Sequence, residues 1–168
     1  EQVRSLDLTR QFVNAQLISY LDWPNVSVDR RAEMHEQKLA SSFGYRGKMD
    51  RFYISFESEK AFIADLKMGR QGILAEAADN YQLAAYAEIA WHTYKDRIKE
   101  IRVALSAPRT GEISVHDYKY EDLPSIKAKI QKVIDDVEDP FCPPRFSDIA
   151  CAKCALVDRC PAAKKDVL

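Results

Sequence analysis

Two aspartates and a lysine, Asp50, Asp65 and Lys67, are the residues of this sequence whose types and spacing best suit chemistry. Asp65 and Lys67 are two positions apart in an otherwise apolar run, a spacing that places both side chains on one face of a β-strand. Burying an unpartnered carboxylate in such a run is costly. Two carboxylates beside a lysine suit Mg²⁺ or Mn²⁺, which bind phosphate oxygens and lower the pKa of a bound water. We therefore predict a divalent-metal centre here, with Lys67 holding the attacking water or the charge that develops on phosphate.

Each of these three residues also has a simpler explanation. Asp50 and Asp65 would then be exposed charges at strand ends, and Lys67 a solvated surface residue. Taken one at a time, each residue favours that explanation. Their joint placement on a predicted hairpin, where two adjacent strands are joined by the short polar turn 57–60, favours the metal centre instead.

The elements that must position these residues follow from the hydrophobic pattern. Helical periodicity predicts helices over 8–21, over 75–95, and from the acidic, proline-containing start at 121–124 to residue 137. Apolar runs rich in β-branched and aromatic residues predict four strands, with a hairpin connection at 35–42. These strands cover residues 26–34, 43–56, 61–67 and 101–105. We therefore expect an α+β (mixed α/β) fold, with a central mixed sheet flanked by helices over residues 1–139 and a cysteine-rich tail over 140–168.

Three motifs carry a resemblance to a known family. Gly47-Lys48-Met49-Asp50 followed by Ala64-Asp65-Leu66-Lys67 resembles the paired motifs of the PD-(D/E)XK nucleases. Gln82-Leu83-Ala84-Ala85-Tyr86 resembles the Q-x-x-x-Y motif of the RecB-like exonuclease branch, and the surrounding residues are similar to its phage and prophage members. Gln82 and Tyr86 are four residues apart and hence share one face of a helix.

The resemblance implies a restriction-endonuclease-like core and a role for each matched residue. Asp50, Asp65 and the main-chain carbonyl of Leu66 would bind Mg²⁺ or Mn²⁺ beside Lys67. Gln82 and Tyr86 would lie beside the metal and help to position DNA. Lys48 and Arg70, which are close to this centre in the sequence, are candidates for phosphate contacts.

The function that the resemblance implies is metal-dependent hydrolysis of DNA by a RecB-like exonuclease in recombination or repair, alongside a recombination or helicase partner protein. Such nucleases normally take a further ligand, His or Glu, from a helix before the sheet. Helix 8–21 contains neither type, so we expect that ligand to precede Glu1. Two alternatives stay open: a catalytically incomplete module that binds DNA or a partner, and a purely structural metal-bound domain.

All four cysteines lie in the last 27 residues, at Cys142, Cys151, Cys154 and Cys160. The C-x-x-C-x5-C spacing of the last three is typical of a metal site, and Cys142 is the available fourth ligand. Four thiolates suit an iron–sulfur cluster or tetrahedral Zn²⁺ equally. The family resemblance implies a [4Fe–4S] cluster, although its fourth cysteine typically lies far upstream.

Composition places few limits on function. The net charge of −1 at pH 7 does not indicate a nucleic-acid binder, but local charge matters more than the total. No apolar stretch is long enough to span a bilayer and no signal segment opens the chain, so we expect a cytoplasmic protein of a bacterial or phage-infected cell and no membrane contact. Trp91 and Tyr94 are expected in the core, His116 in a loop, and Lys127, Lys129 and Lys132 on a solvated helix face.

Overall fold

The computed structural model describes residues 34–68, 75–145, 151 and 154–163. This part of the chain forms an α+β fold, as the sequence predicts. The strands are β1 (Met34–Ala40), β2 (Arg46–Ser55), β3 (Lys60–Leu66), β4 (Glu100–Ala107) and β5 (Glu112–Lys119). The helices are α1 (Tyr81–Tyr94) and α2 (Leu123–Glu138), and short 3-10 turns occupy Ala77–Asp79, Lys95–Arg97, Tyr120–Asp122 and Val157–Arg159.

The five strands form one mixed sheet in the order β1-β2-β3-β4-β5. Neighbouring strands are antiparallel except β3 and β4, which are parallel. Because parallel strands need a long crossover connection, the chain between β3 and β4 has room for α1. In the register, Arg51 of β2 pairs with Ala64 of β3, and Asp65 pairs with Leu105 of β4. The predicted centre therefore lies where β2 and β3 end their pairing.

The central strands are buried on both faces. On one face Phe62 and Ala64 pack with Tyr53 and Ala104, and Leu66 packs against this cluster. Asp65 and Lys67 alternate with these residues and so point to the other face. There α1 contributes buried side chains along most of its length, Leu83, Ala84, Tyr86, Ala87, Glu88, Ile89, Ala90 and Trp91.

Helix α1 begins later than the apolar pattern predicts. The Oδ1 atom of Asn80 accepts a hydrogen bond from the Leu83 amide at 3.0 Å, which caps the first turn. The residues before Asn80 form the 3-10 turn Ala77–Asp79 instead of α-helix. The helix ends at Tyr94, where Lys95 takes a positive φ of 52°.

The two edge strands depart most from the prediction. The connection predicted over 35–42 is wrong, because residues 34–40 form β1 and pair with β2. Strand β5 was not predicted, and His116, expected in a loop, lies on it. The described part of 26–34, Met34, belongs to β1, whereas helix 8–21 and residues 26–33 lie outside the described residues.

The chain divides into two compact units, Glu1–Ile130 and Gln131–Leu168. The first contains the sheet and α1, and the second contains the four cysteines. Within the described residues, no helix has the length and apolar character needed to cross a membrane.

Candidate active site

Asp65 lies at the centre of a polar network near the end of β3. Its side chain is 7% exposed, so it is not the solvated strand-end charge of the simpler explanation. The Oδ1 atom accepts a hydrogen bond from Nε2 of Gln82 at 2.9 Å. The Oδ2 atom lies 2.5 Å from Nζ of Lys67, an ion pair that lacks the angles of a hydrogen bond. Oδ2 is therefore a buried carboxylate oxygen with a cation beside it and no hydrogen-bond donor aligned on it.

Asp50 comes to the same place from the neighbouring strand. Because Arg51 pairs with Ala64, Asp50 lies one residue beyond that pair on β2, as Asp65 does on β3. Its Oδ2 atom accepts a hydrogen bond from the Leu66 amide at 2.8 Å. The half-buried Asp50 carboxylate is thus held at the peptide that follows Asp65.

Gln82 connects the strand residues to helix α1. Its Nε2 atom donates to Asp65 and, at 2.8 Å, to the hydroxyl of Tyr86, while its Oε1 atom accepts from Nζ of Lys67 at 3.1 Å. The Tyr86 hydroxyl in turn donates to the carbonyl of Lys48 at 2.7 Å. Each polar atom of the Gln82 amide is used, so this side chain fixes the relative positions of Asp65, Lys67 and Tyr86.

Burial raises the pKa of Tyr86, and the charges of Asp65 and Asp50 raise it further. The hydrogen bond from Gln82 and the charge of Lys67 act in the opposite direction and are outweighed. Tyr86 is therefore neutral at physiological pH and keeps the proton that it donates to the carbonyl of Lys48.

Two contacts hold α1 close to the β1–β2 hairpin. Gly47 lies directly beneath the helix, where an added Cβ would be 2.8 Å from Cδ1 of Ile89 and 2.8 Å from Cε1 of Tyr86. Glu88 is completely buried and accepts hydrogen bonds from Ser42 and, at 3.0 Å, from the hydroxyl of Tyr45. Close backbone approach at one point and a buried carboxylate at the other therefore set where Gln82 and Tyr86 stand.

The donor set fits a hard divalent cation. Asp50 and Asp65 supply carboxylate oxygens, the ligand type that Mg²⁺ and Mn²⁺ prefer, and the buried Oδ2 of Asp65 already faces a positive charge, the ammonium of Lys67. The structure joins two carboxylates here. No group of three or more His, Cys, Asp or Glu side chains able to hold a metal ion occurs among the described residues.

The two residues predicted to contact phosphate, Lys48 and Arg70, are not both placed at the site by the structure. Lys48 contributes its main-chain carbonyl to the network and has an exposed side chain. Arg70 lies outside the described residues.

The four cysteines lie within the described residues, and none of them forms a disulfide. Cys151 and Cys154 are joined through the main chain, the Cys154 amide donating to the Cys151 carbonyl at 3.1 Å, and the 3-10 turn Val157–Arg159 leads on to Cys160. Four thiolates are the donors that iron–sulfur clusters and Zn²⁺ take. The described residues do not gather three of them into one metal-binding group, so the structure gives no support to the predicted cluster.

Sequence reasoning missed the residues that fix the helix. Glu88 and its partners Ser42 and Tyr45 are 46 and 43 residues apart along the chain, and no local pattern links them. Gly47 carried a signal, because a glycine inside an apolar strand often marks close approach of another element.

The fold and the site together present two carboxylates and a lysine at the ends of adjacent strands, beneath a helix that bears glutamine and tyrosine. The family model of the PD-(D/E)XK nuclease superfamily matches residues 6–161. The chain therefore belongs to the PD-(D/E)XK nuclease superfamily, whose members are generally nucleases and usually use Mg²⁺ or Mn²⁺.

Other comparisons add little. No curated protein sequence matches the chain. A solved structure described as "Crystal structure of SSO0001" is similar over 95% of this chain and 71% of the other, with 13% sequence identity and a TM-score of 0.40. A likeness at that level carries no argument about function, and the assignment rests on the family match.

Proposed function

We propose that this protein is a metal-dependent nuclease that hydrolyses phosphodiester bonds in DNA, with its active centre at Asp50, Asp65 and Lys67. The observation that carries the proposal is the arrangement around Asp65. A buried carboxylate is held between the ammonium of Lys67 and the amide of Gln82, and the second carboxylate, Asp50, is bonded to the next peptide. A purely structural ion pair needs neither the second carboxylate nor the shared glutamine.

Asp50 and Asp65 would hold the metal ion, together with the main-chain carbonyl of Leu66. A bound Mg²⁺ or Mn²⁺ polarises a phosphoryl oxygen and lowers the pKa of a bound water. The Lys67 ammonium carries the positive charge that stabilises the negative charge developing on the phosphate. In this structure that ammonium is 40% exposed and faces both Asp65 and Gln82, so it is oriented and still accessible to a substrate.

Gln82 and Tyr86 act as positioning residues for this centre. Gln82 orients the Asp65 carboxylate and the Lys67 ammonium at once, and Tyr86 holds the Gln82 amide in place. The bond from Gln82 to Asp65, with Tyr86 bonded to Gln82, supports assignment to the RecB-like branch. With that branch we propose an exonuclease acting in phage-type recombination or repair beside a recombination or helicase partner. Lys48 and Arg70 would contact the phosphate backbone.

Degradation of DNA in the presence of Mg²⁺ or Mn²⁺, and none in EDTA, is the expected result for the native protein. Lys67→Ala should lower the rate at least tenfold, since it removes the charge beside Asp65. Lys127→Ala, which removes an equal charge from helix α2, is the matched control and should cleave at the native rate. Equal rates for the native protein and Lys67→Ala would contradict the assignment.

The second candidate is a module with the nuclease fold that binds DNA or a partner without cleaving. The observation that favours it is the number of possible ligands. Among the described residues the site brings together two carboxylates, and no group of three or more possible metal ligands occurs. Native protein that retains intact DNA in Mn²⁺ would support this module and exclude the enzyme. A purely structural domain would bind no DNA at all.

We further propose, from the C-x-x-C-x5-C spacing, that the cysteine tail binds a metal centre in the cell, and the resemblance to RecB-like nucleases favours a [4Fe–4S] cluster over Zn²⁺. Elemental analysis of anaerobically purified protein distinguishes the two. Four irons with sulfide would support the cluster, one zinc would support the tetrahedral site, and neither metal would contradict both.

A further inference from the structure

A cavity of about 300 Å³ opens beside the start of α1, apart from the carboxylate site. Ala78 and Ala84 line it on the α1 side, Tyr118 of β5 lines another wall, and Ser125 and Lys129 line the side formed by α2. Its volume is at the small end of the range for ligand pockets, about 300–1,000 Å³, and suits one planar ring system with its substituents.

An exposed tyrosine, Tyr81, lies against Lys129, one of the residues that line this cavity. Tyr81 is 53% exposed, although it is the first residue of the otherwise well-buried α1. Nζ of Lys129, whose side chain also lines the cavity, lies 4.6 Å from the centre of the Tyr81 ring. An aromatic ring and an ammonium group thus lie together next to the cavity, and proteins that bind single-stranded nucleic acids combine these two groups.

The wall of the cavity is rigidly built. The Ser114 hydroxyl on β5 accepts from the Ala77 amide at 2.8 Å and donates to Glu76 at 2.6 Å. The Tyr118 hydroxyl donates to the Ala78 carbonyl at 3.4 Å. Strand β5 therefore fixes the 3-10 turn that precedes Tyr81, so the cavity and the tyrosine keep their relative position.

Polar groups at the edge of the cavity match a base better than a phosphate. Asp117 and Asp122 both line it. Asp117 is paired with Arg102 at 2.7 Å, and Asp122 accepts from the Lys119 amide at 2.8 Å, so both carboxylates are held in place. Carboxylates attract the amino groups of bases and repel phosphates, which leaves Lys129 as the phosphate contact.

The cavity is close to the proposed centre along α1. Tyr81 is the residue before Gln82, whose amide contacts both Asp65 and Lys67. Tyr81 and Gln82 point in different directions from the helix, so a DNA strand bound at Asp65 would reach Tyr81 by passing around this end of α1.

We propose that this cavity receives an unpaired base of the DNA substrate, stacked on Tyr81, with the adjoining phosphate bound by Lys129. The inference rests on the proposed function and makes its substrate class single-stranded DNA or an unpaired DNA end. A base inside a duplex is stacked between its neighbours and cannot enter, so fully paired DNA gains nothing from this site.

The test is equilibrium binding in EDTA, where no cleavage occurs, with a fluorescein-labelled single-stranded oligonucleotide and a blunt duplex of the same sequence. Tyr81→Ala and Ser125→Trp, which fills the cavity from its exposed rim, should each weaken single-strand binding roughly tenfold and change duplex binding less than about twofold. Tyr81→Phe, which keeps the aromatic face, should bind as the native protein does. Lys127→Gln is the charge control for Lys129→Gln.

A 2-aminopurine base placed at the end of the oligonucleotide reports stacking directly. Its fluorescence should be quenched by the native protein and by Tyr81→Phe, but not by Tyr81→Ala. Native single-strand affinity in both Tyr81→Ala and Ser125→Trp would overturn the inference and leave the nuclease assignment standing. Equal losses on single-strand and duplex DNA would also overturn it. Absence of binding to either DNA by the native protein in EDTA would also overturn the inference, and the Mg²⁺-dependent cleavage assay would then decide the nuclease assignment separately.

Discussion

Replacing Gly47 by alanine should disturb the site while leaving the fold intact. The added Cβ would lie 2.8 Å from Cδ1 of Ile89, and 2.8 and 2.9 Å from Cε1 and Cδ1 of the Tyr86 ring. Ordinary carbon–carbon contacts are about 3.5–4.0 Å, so the Tyr86 ring and the end of the Ile89 side chain, or the backbone that carries them, must move by about 0.7 Å or more. Overpacking of this kind typically costs about 1–3 kcal/mol.

The movement falls on the residues that orient Asp65. The Tyr86 hydroxyl is bonded to Gln82 at 2.8 Å and to the Lys48 carbonyl at 2.7 Å, and both distances lie near the middle of the hydrogen-bonding range. A displacement of about 1 Å in a catalytic arrangement lowers rates by as much as about 100-fold. We therefore expect Gly47→Ala to lower DNA cleavage at least tenfold.

Gly44 of the same hairpin provides the matched control. It has a φ of 84°, and nothing lies within 4 Å of an added Cβ. Gly44→Ala should therefore cost about 1–2 kcal/mol through its left-handed backbone alone, with cleavage unchanged. Urea unfolding and a DNA cleavage assay on both variants separate the two effects. Equal cleavage by the two variants, or native stability of Gly47→Ala, would refute the reasoning.

Three further predictions concern α1 and its attachments. Glu88→Ala removes the hydrogen-bond acceptor for Ser42 and Tyr45 and should lower the free energy of unfolding by about 1–3 kcal/mol. A urea midpoint equal to that of the native protein would show that this buried carboxylate does not stabilise the fold. Burial, and then the charge of Glu88, raises the pKa of Tyr45, so above pH 10 the unfolded chain loses a proton that the folded chain keeps. The free energy of unfolding should therefore fall as pH rises from 10, and it should fall less steeply in Tyr45→Phe. Urea unfolding at pH 9 and at pH 11 measures this difference. An equal fall in the native protein and in Tyr45→Phe would show that Tyr45 does not contribute. Tyr86→Phe removes an acceptor from Gln82 and should slow cleavage about tenfold with DNA affinity in EDTA unchanged, whereas a matching loss of affinity would indicate a binding role instead.

The central strands were predictable because their residues are buried on both faces. Residues 52–55 of β2 and 61–65 of β3 are continuously buried, which gives the apolar runs that the sequence shows. The alternation of Asp65, Leu66 and Lys67 between the two faces of β3 could be predicted equally well. Leu66 packs on one face and the two charged residues meet on the other.

The edge strands were not predictable in the same way. β1 and β5 each pair with a single neighbour, and only Tyr118 of the eight residues of β5 is buried. An edge strand with polar residues on both faces carries no hydrophobic period, so it reads as a connection. The hydrogen bonds that hold α1 to the β1–β2 hairpin could not be predicted for another reason. Glu88 meets Ser42 and Tyr45 only in the folded sheet, and these residues are far apart in the sequence.

The central claim is that Asp65 belongs to a metal-dependent nuclease centre, and the rate of Mn²⁺-dependent DNA cleavage by Asp65→Asn tests it most directly. Asparagine keeps the shape of the side chain but removes the charge that faces Lys67. We expect the rate to fall at least about 100-fold relative to the native protein, because one of the two carboxylates that would hold the metal is gone. Asp96→Asn, an exposed aspartate after α1, should cleave at the native rate. Cleavage by Asp65→Asn at the rate of Asp96→Asn would contradict the account.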